Sequence, residues 1–76
     1  MVYYSMEDIK KHNSKKDCWI MLEDSVYDIT EFIPEHPDPS IRFQCGKDAN
    51  EMFVKVGHGD RHLDYIEKFK IGLLEK

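Results

Sequence analysis

Apolar residues come in short bursts along this chain, separated by charged or proline-rich turns, and each burst carries its own period. Ser5 and Asp8 form an N-cap pair, and Met6 to His12 behind them has Ile9 as its main inward anchor, which predicts a short, mostly exposed first helix. His12, followed by Asn13 and Ser14, falls at the C-terminal end of that helix, where the dipole favours a cation, so a surface or capping role is expected. Cys18-Trp19-Ile20-Met21-Leu22 and Val26-Tyr27-Asp28-Ile29 then flank the polar turn Glu23-Asp24-Ser25, the pattern of a β-hairpin. The first run is apolar on both faces. It is therefore expected to be a central strand, with one side feeding a pocket and the other a second small core, and Trp19 reads as a core aromatic.

Thr30 can cap a brief turn carrying Phe32 and Ile33, and Pro34 limits how far a regular helix extends. Pro37 pushes the residue before it out of the helical region, so His36 is expected at a turn, its ring free to project into a cleft. Ile41 and Phe43 follow in a poorly regular segment that ends at Cys45-Gly46. Asp48 and Glu51 read as a capping box for a helix whose apolar residues Ala49, Met52, Phe53 and Val56 share one face. That helix should stop at Gly57, with His58 directly after it. Asp60 starts a further helix in which Tyr65, Ile66 and Phe69 share a face with Leu63 beside them, and Lys70 to Leu74 reads as a short closing strand. No repeat or low-complexity tract interrupts the pattern.

Size changes this picture by limiting the core. A single domain over residues 1–76 is expected, and a chain of this length buries about 60% of the surface its unfolded form exposes. Such chains usually need a disulfide, a metal, a cofactor or a partner to complete the core. With just Cys18 and Cys45, and no secretory leader at Met1-Val2-Tyr3-Tyr4, a disulfide is the least expected of these. Two reduced, partly buried thiols in a cytosol-like compartment are expected instead. The longest apolar run, Cys18 to Leu22, is far short of the roughly 20 residues of a membrane span. The net charge of −4, from 11 basic and 15 acidic side chains, argues against nucleic acid as a partner.

The candidate chemistry lies in His36 and His58. Each stands at the end of an element, beside a residue that stops a helix, with Phe32, Val54 or Val56 a few positions away. Two neutral imidazoles facing each other across an apolar slot can ligate haem iron from both sides, which closes both axial positions and favours electron transfer over bond chemistry. No Cys-x-x-Cys-His occurs, so any haem would be held without covalent attachment. Three other readings stand beside this one. Both histidines can be ordinary surface residues. Zinc could use His58 and His62 with Cys45 or Cys18, although Gly57, Gly59 and Asp60 place His58 outside the helix. A hydrolytic dyad of Cys45 with a histidine lacks any sign of an activated thiol.

The chain resembles the cytochrome b5 family over nearly its whole length. The matching pieces are Tyr4-Ser5 through His12-Asn13, Cys18 to Leu22, Val26 to Thr30 with Phe32, Glu35-His36-Pro37, Gly46-Lys47-Asp48-Ala49, Phe53 with Val56-Gly57-His58, and Phe69-Lys70-Ile71-Gly72. The resemblance implies a small α+β domain, with a mixed β-sheet as floor and two helical hairpins forming the cleft of a non-covalent haem b. It implies His36 and His58 as the axial ligands and Leu22, Ile29, Phe32, Phe53, Val56, Tyr65 and Phe69 as pocket walls, with Ile41 or Phe43 filling the side near the first ligand. It also implies a monomeric electron carrier, itself no enzyme, between a flavin reductase and iron-containing acceptors such as oxidases, desaturases and monooxygenases. The alternative is a haem- or metal-responsive interaction module of the same fold that does not cycle electrons.

Several positions depart from the family pattern. His-Pro-Gly-Gly is here His36-Pro37-Asp38-Pro39, a stiffer turn, and the segment between the two histidines is shorter by about two residues. The serine that follows the second ligand in the family is Gly59. Ser40, Phe43 and Lys55 stand near where acidic residues are common, while Glu35, Asp38 and Asp60 remain. A cytoplasmic setting is expected. Because relatives often continue beyond the last strand, either a minimal soluble form or a domain cut from a membrane tail at the cytosolic face is expected.

Overall fold

The computed structural model describes residues 2–35, 39–55 and 66–75. Its strands are β1 (Tyr3–Tyr4), β2 (Asn13–Ser14), β3 (Asp17–Leu22), β4 (Ser25–Asp28), β5 (Lys47–Asp48) and β6 (Lys70–Leu74). Its helices are α1 (Met6–Lys10) and α2 (Asn50–Lys55), with 3-10 turns at Ile33–Glu35, Pro39–Gln44 and Glu67–Phe69. Among the described residues the strands form one mixed sheet in the order β1-β6-β4-β3-β2, with β5 beside β3. The expected hairpin is β3 and β4, paired antiparallel from Trp19 with Asp28 to Leu22 with Ser25. The expected closing strand is β6, which lies antiparallel to β4 and parallel to β1.

Alternation along the hairpin divides the interior in two. Cys18, Ile20 and Leu22 of β3 join Tyr27, Ile29, Cys45, Ala49 and Ile66 in one buried cluster. Met21 joins Val26 and Ile9 in the other, with Trp19, Tyr4, Met6, Ile71 and Leu74 packed against it. The central strand thus feeds a core on each side, as its doubly apolar pattern requires. Trp19 is half-buried, stacked on the His12 ring at 3.7 Å between centroids and met edge-on by Tyr4 at 4.7 Å. His12 Nδ1 also lies 2.8 Å from the Asp17 carboxylate, so this histidine closes the outer edge of the second core.

Helix α1 begins as its sequence predicts. The Ser5 hydroxyl accepts from the Asp8 N–H and the Asp8 carboxylate accepts from the Ser5 N–H, a complete capping box. These two bonds, the backbone one foremost, hold the Asp8 carboxyl below its ordinary value of 3.8. A depressed folded-state pKa stabilises the fold above the unfolded value, and that contribution is lost as pH falls through the folded value. Asp8→Asn should therefore lower the urea midpoint at pH 7, and the gap to the unmodified protein should begin to narrow near pH 3.8 and close as pH falls through the lower folded-state value. A gap that persists unchanged in acid would show that the carboxylate charge is irrelevant.

Three expectations need correction. The cysteines are not reduced: Cys18 and Cys45 form a disulfide with Cα atoms 4.7 Å apart. The reason is the parallel pairing of β5 with β3, in which Ile20 faces Lys47, so that Cys18 on β3 and Cys45 just before β5, each two places earlier, meet. Closing a loop across a sequence separation of 27 stabilises the fold by about 3 to 4 kcal/mol on the chain-entropy model. Met52 is 41% exposed, and α2 turns Ala49 and Phe53 toward the core instead. At the start of α2, the Asp48 carboxylate accepts from the backbone and side-chain N–H groups of Asn50, an Asx turn in place of the expected box with Glu51. Among the described residues no helix is long and apolar enough to cross a membrane.

Candidate functional site

The cluster that contains Leu22 and Ile29 has a fully buried floor and a less buried upper layer. Leu22 and Ile29 are 2% and 1% exposed and belong to the sheet face itself. Phe32, Ile33, Ile41, Phe53 and Phe69 pack onto that face while remaining partly accessible. They come from separate places: the turn after β4, the 3-10 turn Pro39–Gln44, helix α2, and the 3-10 turn that enters β6. Phe32 and Phe69 bring their rings to 5.6 Å at a tilt of 39°. The layer is apolar, carries two aromatic walls in contact, and has no buried polar side-chain atom without a partner among the described residues.

Local chemistry fixes the approach of the chain to this layer. The Thr30 hydroxyl donates to Asp28 Oδ1 and accepts from the Cys18 N–H, so the turn after β4 is tied back to the start of β3. Phe32 and Ile33 both donate their N–H groups to the Ile29 carbonyl, which sets them on the cluster side of the turn. Thr30 therefore anchors the turn to the sheet, beyond the capping role its sequence position suggests. Ala49 N–H donates to the Met21 carbonyl and Glu23 N–H to the Asn50 side chain, which fastens the base of α2 to the hairpin. Burial pushes the Tyr27 phenol above its ordinary value of 10.0, with a Ser25 hydrogen bond opposing, so the ring joins the floor as a neutral group.

Of the candidate wall residues, Leu22, Ile29, Phe32, Ile41, Phe53 and Phe69 meet in this cluster. Phe43 does not. It is 60% exposed, with the Arg42 guanidinium 5.1 Å from its ring centre, and Ile41 takes the inward position on the same 3-10 turn. The six-residue turn has three residues per revolution, so neighbours two apart cannot both face the core. His36, His58, Val56 and Tyr65 lie outside the described residues. Ile33, Ala49 and Ile66 belong to the cluster without having been candidate walls; the signal for Ile66 was its shared helical face with Phe69, and for Ala49 its place on the apolar stripe of α2. The Cys18–Cys45 disulfide also sits in the floor, and it removes both thiolates that a zinc site with His58 and His62 would need.

A mixed sheet topped by an aromatic, partly uncovered apolar layer suits a flat, largely apolar ligand. Residues 5–75 match the model of the cytochrome b5-like haem/steroid binding domain. The chain belongs to that family. It is 45% identical to cytochrome b5 of Oryctolagus cuniculus over 74 residues, covering 95% of this chain and 55% of the relative. It is 41% identical to cytochrome b5 isoform E of Arabidopsis thaliana, covering 93% of this chain and 54% of the relative. The chain thus spans about half the length of the curated relatives it matches. Among solved structures, cytochrome b558 of Ectothiorhodospira vacuolata, a prokaryotic homologue of cytochrome b5, superposes with a TM-score of 0.88 at 28% identity, covering 97% of this chain and 99% of that one. The cytochrome b5 of Ostreococcus tauri virus 2 superposes at 0.83 with 37% identity, covering 95% and 83%.

Haem is the cofactor of this family's cytochromes, and the residues present fit it. The upper layer offers hydrocarbon and aromatic faces, with the Lys68 ammonium 5.3 Å from the Phe69 ring centre at its edge, which suits a largely apolar macrocycle that must be desolvated to be held. The sequence positions of the two candidate ligands fit as well. His36 stands between Phe32-Ile33 and Ile41, and His58 between Phe53 and Ile66, so each is flanked on both sides by residues of the same cluster.

Proposed function

We propose that this chain is one b-type cytochrome domain over residues 1–76, an electron carrier with His36 and His58 as the two axial ligands of haem b. The flanking of both histidines by residues of one apolar cluster is the observation that carries this reading. Bound haem supplies a one-electron ferric/ferrous couple. Leu22, Ile29, Phe32, Ile41, Phe53 and Phe69 would exclude water from the macrocycle and hold it, and Val56 and Tyr65, outside the described residues, would complete the wall in this reading. The paired imidazoles leave no position for oxygen or substrate, so the domain passes electrons and performs no bond chemistry of its own.

The donor in this reading is a flavin-dependent reductase, and the acceptor is an iron-containing oxidase, desaturase or monooxygenase. The net charge of −4 suits a donor with a basic docking face. A cytoplasmic setting loses the support that reduced thiols would have lent it, because the Cys18–Cys45 disulfide favours an oxidising compartment. The test is the visible spectrum of the haem-reconstituted protein before and after dithionite, with carbon monoxide added last. A sharp low-spin spectrum that reduces cleanly and ignores carbon monoxide is expected. Prompt carbon monoxide binding would replace the carrier with a haem-responsive module that has an open position.

A further inference from the structure

We infer that the Cys18–Cys45 disulfide and haem occupancy are coupled, so that a dithiol reductant loosens the domain's grip on haem and bound haem protects the disulfide from reduction. This rests on the haem reading above. The loop that the disulfide closes runs from β3 to the end of the 3-10 turn Pro39–Gln44. It contains Leu22, Ile29, Phe32 and Ile41, four wall residues of the cluster, together with the proposed ligand His36, and so makes up one jaw of the proposed cleft. Phe53, His58 and Phe69 lie outside it. The bond therefore fixes one jaw of the cleft at its base and leaves the other untouched.

At its Cys45 end that jaw is tied to the sheet by the disulfide, by the bond from Gly46 to Trp19 and by the pairing of β5 with β3. Cys45 is 3% exposed and Cys18 is fully buried, and the next residue, Gly46, donates its N–H to the Trp19 carbonyl at 2.6 Å. Neither sulfur can be attacked by an external thiolate until this end opens. Reduction then transfers two electrons and two protons from the dithiol: the protein S–S bond breaks, two thiols form on Cys18 and Cys45, and the reductant closes its own S–S bond. A jaw freed at its base samples more positions, which lowers the effective concentration of His36 at the iron. Linkage makes the effect reciprocal: the factor by which the disulfide strengthens haem binding is the factor by which haem shifts the thiol–disulfide equilibrium.

Two measurements on the unmodified chain test this. The first titrates the disulfide in glutathione buffers, with and without ferric haem bound, reading thiols by maleimide mass shift and checking from the spectrum that the iron stays ferric. The second follows haem loss to excess apomyoglobin from the oxidised and the reduced protein. The ratio of reduced glutathione squared to oxidised glutathione at the midpoint should rise about tenfold or more with haem, and haem loss should accelerate by a similar factor on reduction. Cys18→Ala/Cys45→Ala should lose haem as fast as the reduced protein. Shifts below threefold in both measurements would overturn the coupling while leaving the haem reading intact. Failure of the oxidised chain to take up haem at all would overturn both, and the control spectrum separates the two results.

Discussion

His36→Ala and His58→Ala should each abolish stable haem retention, whereas His12→Ala and His62→Ala should leave it in place. The expectation for His12 follows directly from its surroundings: its ring is stacked on Trp19 and its Nδ1 faces Asp17, at the far core from Leu22 and Ile29. Losing one axial imidazole removes the bond that holds the iron from that side and opens a position to water or carbon monoxide. The check is haem transfer to excess apomyoglobin with the visible spectrum recorded throughout. Full retention of a six-coordinate, carbon-monoxide-insensitive haem by either ligand variant would remove that histidine from the site.

Gly46→Ala should cost about 3 kcal/mol of stability, combining the strain of a left-handed backbone with overpacking. Gly46 has φ +78°, and a Cβ built there would stand 2.6 Å from the Asn13 Cβ, 3.1 Å from the Asn13 Cα and 3.4 Å from the Ile9 carbonyl oxygen. None of these can retreat cheaply, since Asn13 lies in β2 and Gly46 itself is bound to the Trp19 carbonyl. For a chain of 76 residues the total stability is on the order of 4–11 kcal/mol, so the loss is a large share of it. The melting temperature should fall by about 15 °C. Far-UV circular dichroism melts would show this, and a fall of under 3 °C would mean that the corner between β2 and β5 yields more easily than its packing implies.

The sequence carried the local features well, because their causes are local. A Ser-x-x-Asp pair makes a capping box wherever a helix follows it, and two apolar runs, Cys18 to Leu22 and Val26 to Ile29, around a short polar turn make a hairpin. The division of Cys18, Ile20 and Leu22 from Met21 between two cores was legible for the same reason. The candidate wall came from the resemblance to the cytochrome b5 family, matched position by position, and not from the apolar pattern alone. The disulfide was not legible, since it depends on β5 pairing in parallel with β3, and a register between distant strands leaves no mark in the spacing of two cysteines. The choice between Ile41 and Phe43 was left open for a related reason. In a segment with no clear period, Ile41 and Phe43 looked equivalent, and the 3-10 geometry decided between them. Met52 fell on a stripe that the short helix does not fully bury.

Strand β6 lies between β1 and β4, so an interior position of the sheet is filled by the last of its strands in sequence order. Its Gly72 sits where any side chain would strike the Val2 carbonyl and the Tyr4 ring, and Leu73 and Glu75 donate N–H groups to Val2 and Tyr4. A chain emerging from the ribosome would thus have its first strand ready long before the strand that receives it. Until β6 is made, β1 has no neighbour and β4 keeps an open edge, so the hairpin cannot close into a lasting sheet. Closure of this sheet therefore waits on β6, whatever its earlier strands have already formed.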